Sequence, residues 1–180
     1  MPIYLIRHGQ SEFNATFDRN RSDPMIIDAP LTEIGVAQAK RARILAAQLG
    51  IKQVIASPLT RALQTAQLIF GDALPIHVSA GPREQLCHSC DVGRSPKQLA
   101  KDFPDLDFDH LPEIWWHTGI PNDLGYTVET QDIFAPRMVQ FATALSNMSP
   151  RPLAVVGHGN AFKELVGYDM KNCEIARFEA

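Results

Sequence analysis

Two short apolar runs, far apart in the chain, end in the same way. Ile3-Tyr4-Leu5-Ile6 leads into Arg7-His8-Gly9, and Leu153-Ala154-Val155-Val156 leads into Gly157-His158-Gly159. Four apolar residues in a row, bounded by glycine, predict a strand buried on both faces, as in a parallel sheet covered by helices. Open sheets of that kind take their ligands at the carboxyl edge of the strands. Both runs thus predict a His-Gly placed where an α/β sheet does its chemistry.

The chain between them alternates in period. Gly9 to Asn14 and the polar stretch holding Arg19, Arg21, Asp23 and Pro24 read as a loop, or a short helix followed by a loop. Thr32 suits the N-cap of a helix to about Leu49, with Val36, Ala39, Ala42, Ala46 and Leu49 on one face and Gly50 as its stop. Val54-Ile55-Ala56 centres a short strand that runs into Ser57-Pro58, an N-cap and first helical position. Ala62, Leu63, Ala66, Ile69 and Phe70 then recur at helical spacing. Arg61 falls in the first turn of that helix, where free amides and a guanidinium suit an anion.

Pro75 to Val78 predicts a further strand, and Ser95-Pro96 opens a short helix to about Phe103. From Thr130, the residues Phe134, Met138, Phe141, Leu145 and Met148 mark an amphipathic helix, with Pro136 near its start or kinking it. Ala161 to about Gly167 gives a short helix, and Glu174 to Phe178 alternates as an edge strand does. Strands alternating with helices predict a three-layer α/β/α sandwich on a mainly parallel sheet, with an antiparallel strand at the edge. We expect one domain over 1–180, with a lid-like excursion at about 104–125, a stretch rich in Pro, Asp and aromatic residues without period.

Composition limits the partners. A net charge of -3 with both signs scattered gives no support for nucleic acid or an anionic membrane surface, so any anion site must be local. No apolar run approaches the ~20 residues of a membrane span, and the amino-terminal segment lacks the pattern of a signal peptide. Cys87, Cys90 and Cys173 are odd in number and suggest reduced thiols and a cytoplasmic location. The oligomeric state is left open.

If His8, His158, Arg7 and Arg61 meet, they form a small cationic pocket in an acidic protein. Guanidiniums bind phosphate bidentately and stabilise charge on its equatorial oxygens, and a neutral imidazole is a competent nucleophile at phosphorus. One histidine or one arginine alone is more often a satisfied polar residue; the repeated His-Gly together with Ser57-Pro58-Leu59-Thr60-Arg61 is harder to explain by packing.

The run Leu5-Ile6-Arg7-His8-Gly9-Gln10-Ser11-Glu12-Phe13-Asn14 resembles the signature of the histidine phosphatase superfamily, the phosphoglycerate-mutase-like group. Pro30 to Ala39, Ala56 to Ala66, and Val155 to Gly159 resemble its later blocks, in family order. The resemblance implies that His8 is the nucleophile that becomes phosphorylated. Arg7, Arg61 and His158 would hold the phosphoryl oxygens, and Asn14 would line the same pocket. It implies no metal and no other cofactor, and a small phosphorylated metabolite as substrate.

The family draws its proton donor from a Glu after the third strand, and Glu84 stands in that place. Cys87-His88-Ser89-Cys90-Asp91-Val92-Gly93 departs from the family's glycine-spaced run just afterwards, so Asp91 and His88 are alternative acids. Cys87 and Cys90 also permit a zinc or redox reading, although one C-x-x-C supplies only two ligands. Arg19, Arg21 and Trp115 are candidate substrate contacts; solvated arginines and a core tryptophan are the plainer alternatives. Three functions are carried forward: a phosphatase working through a phosphohistidine, a phosphoglycerate mutase, and a non-catalytic scaffold that binds a phosphorylated ligand.

Overall fold

The computed structural model describes residues 2–71 and 73–179. Its elements are β1 (Ile3–Arg7), α1 (Glu12–Asn20), α2 (Glu33–Ala46), β2 (Gln53–Ala56), α3 (Thr60–Phe70), β3 (Ile76–Val78), a 3₁₀ turn (Ser89–Asp91), α4 (Pro96–Asp102), α5 (Gln131–Ser146), β4 (Leu153–Gly157), α6 (Gly159–Val166) and β5 (Ile175–Phe178). The strands form one sheet in the order β3-β2-β4-β1-β5. All neighbours are parallel except β1 and β5, which are antiparallel as expected for the edge strand.

Side-chain alternation along the strands separates two cores. Ile6, Val54, Ala56, Ala154 and Val156 pack with the alanine-rich face of α2 (Ala39, Ala42, Ala46) and with Ala62, Leu63, Ala66 and Ile69 of α3. Leu5, Ile55, Leu153 and Val155 face the opposite way, onto Phe134, Met138, Phe141 and Leu145 of α5 and Phe162 of α6. Period-two alternation on buried strands demands a helix layer on each side, and the sandwich follows.

Two local expectations are corrected. Ser57 does not cap the helix after β2; α3 begins at Thr60 with Leu59 as its N-cap. The exposed amide there is met by Asp28, whose Oδ1 accepts from the Thr60 N–H at 2.7 Å while Oδ2 accepts from its hydroxyl at 2.5 Å. A carboxylate is the stronger acceptor, and it frees Ser57 for another partner. Helix α2 ends at Ala46, short of Leu49. Pro136 lies inside α5, which starts at Gln131 after Thr130.

The excursion at 104–125 contains no helix or strand. It is held down by Phe108 and Trp115, both part of the core under α3, and at its far end by the Tyr126 hydroxyl, which donates to Asp23 at 3.0 Å.

Candidate active site

Four parallel strands end at one edge, and the chain just beyond each supplies part of the site. Register pairs Arg7 of β1 with Gly157 of β4, so His8 and His158 emerge side by side, their ring centroids 5.2 Å apart. Beyond β2 comes Ser57 and the first turn of α3 with Arg61, and beyond β3 comes Glu84.

His8 is almost fully buried. Its Nδ1 lies 2.6 Å from the carbonyl oxygen of Gly9. A carbonyl can only accept, so Nδ1 carries the proton and Nε2 keeps its lone pair. The Nε–H of Arg61 points at that lone pair from 3.3 Å. Burial, then the positive charges of Arg61 and Arg7, hold the imidazole well below its ordinary pKa of 6.5. The ring is therefore a neutral base.

His158 is the N-cap of α6 and has no exposed surface. Its Nε2 is 2.8 Å from Ser57 Oγ, and its Nδ1 has no hydrogen-bond partner among the described residues. The Arg7 Nε, likewise buried, also lacks one. Arg7 is anchored through Nη1 to the Met170 carbonyl, and a Cβ at Gly159 would touch its guanidinium carbon at 3.4 Å. A buried polar atom left unpaired costs stability, and two of them at one strand edge are free to meet a polar ligand.

Glu84 accepts from the amides of Asn160 (3.0 Å) and Ala161 (2.9 Å), the first turn of α6. Burial, reinforced by the negative charge of Asp91, raises its carboxyl above the usual 4.5 against the pull of those amides and of Arg61. Asp91 stands differently. It accepts from Arg61 Nη2 at 2.8 Å and from the amides of Cys87 and His88 at 3.1 and 3.0 Å.

The model of the histidine phosphatase superfamily (branch 1) matches residues 3–179. The chain belongs to the histidine phosphatase superfamily. A relative from Cronobacter sakazakii, named probable phosphoglycerate mutase GpmB, is 29% identical over 202 residues, covering 99% of this chain and 85% of its own. Among solved structures, the α-ribazole phosphatase of Shigella flexneri superposes with a TM-score of 0.67 at 22% identity, over 98% of this chain and 89% of that one. The phosphoserine phosphatase of Entamoeba histolytica, in complex with 3-phosphoglyceric acid, gives 0.65 at 23%, over 99% and 90%. At these identities the structural likeness is one of fold.

In this member of the superfamily the remaining candidates lie as follows. Asn14 is in the first turn of α1, its Oδ1 accepting from the amide and hydroxyl of Ser11, which leaves its Nδ2 hydrogens for a ligand. Arg19 and Arg21 are exposed at the far end of α1. Trp115 belongs to the core: it is 4% exposed, its indole donates to the Arg94 carbonyl at 2.8 Å, and it fills the space over Gly93. His88 packs against Phe13 and Phe17, with ring centroids 5.3 and 5.0 Å away. Cys87, Cys90 and Cys173 are free, and burial pushes the Cys87 thiol up to about 12 and that of Cys90 higher, the opposite of an activated thiolate. Among the described residues no group of three or more His, Cys, Asp or Glu is placed to hold a metal ion.

Sequence reasoning missed the residues that hold these groups. Ser57 was assigned to a cap and instead meets His158. Glu129, fully buried, receives both Nε and Nη2 of Arg137 at 2.9 and 2.8 Å. Arg137 in turn donates to the carbonyls of Gly81, Arg83 and Glu84, bracing the segment that carries Glu84.

Proposed function

We propose that this protein is a phosphomonoesterase that hydrolyses a small phosphorylated metabolite through a phosphohistidine on His8. The observation that carries the reading is the His8 tautomer: Nδ1–H held by the Gly9 carbonyl, and Nε2 with its lone pair facing the Arg61 guanidinium. The phosphoryl group enters between the two side chains and takes the Arg61 Nε–H onto one of its oxygens, and the freed Nε2 lone pair attacks phosphorus as the P–O bond to the leaving group breaks. Arg7, Arg61, His158 and the Asn14 amide surround the phosphoryl oxygens as charge spreads over them. Glu84, whose carboxyl burial raises and so favours in its proton-bearing form, is the acid that gives a proton to the departing alkoxide. Water then attacks the phosphohistidine, Glu84 takes the proton back, and phosphate leaves with Nε2 restored.

Two fixed guanidiniums supply the positive charge in this scheme, so it asks for no metal or cofactor. Free thiols of high pKa suit a reducing cytoplasm. Among the described residues no helix is long and apolar enough to cross a membrane. We read 1–180 as one domain with 104–125 as a lid. The acidic side chains of that excursion, Asp105, Asp107, Asp109 and Glu113, are exposed and disfavour a second phosphate on the substrate, which supports hydrolysis over a mutase that shuttles phosphate between positions. The mutase reading is kept because of the name of the Cronobacter relative.

Phosphate release and isomerisation of 3-phosphoglycerate, measured side by side, separate the two. Free phosphate with an acid-labile phosphoryl group trapped on His8 is the expected result. Isomerised product without phosphate would mean a mutase, and a His8→Ala variant that still cleaves p-nitrophenyl phosphate would remove the mechanism altogether.

A further inference from the structure

We propose that Asp91 is the positioning residue of Arg61, its carboxylate pinning the guanidinium in the orientation that aims Nε at His8. This rests on the phosphohistidine reading above. Asp91 is 5% exposed and closes the Ser89–Asp91 turn. Its Oδ2 accepts from the Cys87 and His88 amides, and its Oδ1 from Arg61 Nη2. Three N–H donors converge on the two oxygens, and the Cys90 thiol lies 3.5 Å from Oδ1. Asp91 is thus tied directly to a guanidinium of the site, whereas Glu84 accepts from backbone amides alone, which separates Asp91 from the acid role open to it in the sequence.

Arg61 is gripped at three points. Nη2 meets Asp91 at 2.8 Å, Nη1 donates to the Cys90 carbonyl at 2.6 Å, and Nε reaches His8 Nε2. A guanidinium is planar, so two contacts on its fork fix the direction of the third. Turning Nε away from His8 breaks both contacts on the fork, and at 2% exposure water is poorly placed to replace them. The turn at 89–91 thereby sets the aim of a side chain thirty residues earlier in the sequence. An Asn at this position keeps the shape but cannot satisfy both sides: its oxygen serves either Arg61 or the two amides, and its NH₂ opposes whichever remains.

The test is a double-mutant cycle read on two substrates, p-nitrophenyl phosphate and a simple alkyl phosphate. We expect Asp91→Asn to lower kcat by about 10- to 100-fold on both substrates alike, and Arg61→Lys/Asp91→Asn to be no worse than Arg61→Lys. The alkaline limb of the pH profile persists in Asp91→Asn, displaced to lower pH because Glu84 loses the negative charge beside it. A loss confined to the alkyl phosphate with the alkaline limb gone, or losses that multiply in the double variant, would overturn the proposal. Should Asp91→Asn not fold, the Arg61 Nε–H resonance of the ligand-free wild type decides: slow exchange with water is expected, and exchange at the rate of a free guanidinium refutes the pinning. If instead the wild type proves to lack phosphatase activity, the functional reading has failed, while that resonance still judges the contact.

Discussion

His158 Nε2 and Ser57 Oγ, 101 positions apart in sequence, lie 2.8 Å from each other with both side chains fully buried. The contact orients the second imidazole from behind. Ser57→Ala should leave both ring nitrogens of His158 without partners and cost about 1–3 kcal/mol, seen as a lower denaturant midpoint, together with a fall in kcat. Because Asp28 rather than Ser57 meets the first amide of α3, helicity by circular dichroism should not change; a loss of helix would restore Ser57 to the role of cap.

Stability should depend on pH through the two histidines. Both are held well below 6.5 by burial and neighbouring cations, so below pH 6.5 the unfolded chain takes up protons that the folded one refuses. The fold therefore loses stability as pH falls from about 6.5, with a slope of up to about 1.4 kcal/mol per pH unit for each histidine. Glu84 works in the other direction, since its raised carboxyl binds a proton more readily in the folded state. Asp28, whose carboxyl burial also raises, acts as Glu84 does; the histidines begin to titrate in the unfolded chain at about 6.5, inside the window, so a net loss is expected as a shift in urea midpoint between about pH 7.5 and 5.5, and a flat midpoint would mean that they do not dominate.

Glu84→Gln should slow an alkyl phosphate by about 10²–10⁴-fold and leave a nitrophenyl ester, whose leaving group needs no proton, far less affected. The alkaline limb of the wild-type profile should vanish in the same variant. Equal losses on both esters would move the acid elsewhere, with His88 the next residue to test.

Behind Glu84, Glu129 is fully buried and depends on Arg137. Burial alone would raise its carboxyl, but the two N–H bonds and charge of Arg137, with Arg83 nearby, bring it below the ordinary range. Arg137→Met should leave that charge with only Arg83, 3.6 Å away, and cost up to about 3–5 kcal/mol, whereas Glu129→Met/Arg137→Met should recover most of the loss. Equilibrium denaturation of the single and double variants checks this, and equal destabilisation in the two would show that the pair does not act as a unit.

What could be read from the sequence was local or periodic. The strand runs before His8 and His158, the alanine face of α2, the Ser95 cap and the irregular excursion all follow from spacing within a few residues, and each appears in the structure. The meeting of His8, His158, Arg61 and Glu84 followed from their common place at strand ends. Contacts between distant residues were not legible. Asp28 meets Thr60 across 32 positions, Asp23 meets Tyr126 across 103, and Ser57 meets His158 across 101. Nothing in the neighbourhood of a serine says which distant partner outbids the helix beside it. Asp91 escaped for the same reason, since its value lies in a guanidinium on another element.

Strand β4 occupies the middle of the sheet, between β2 and β1, yet it is the last of the four parallel strands in sequence. Until residues 153–157 are in place, β1 and β2 have no common neighbour in the sheet, and His158 has no strand to carry it to the site. A nascent chain that has emerged only through α5 thus holds His8, Arg61 and Glu84 but lacks His158, the α6 amides that meet Glu84, and the central strand between β1 and β2. On the proposed function, phosphate binding should therefore be gained only once β4 is present, which a ribosome-stalled series of lengths would test.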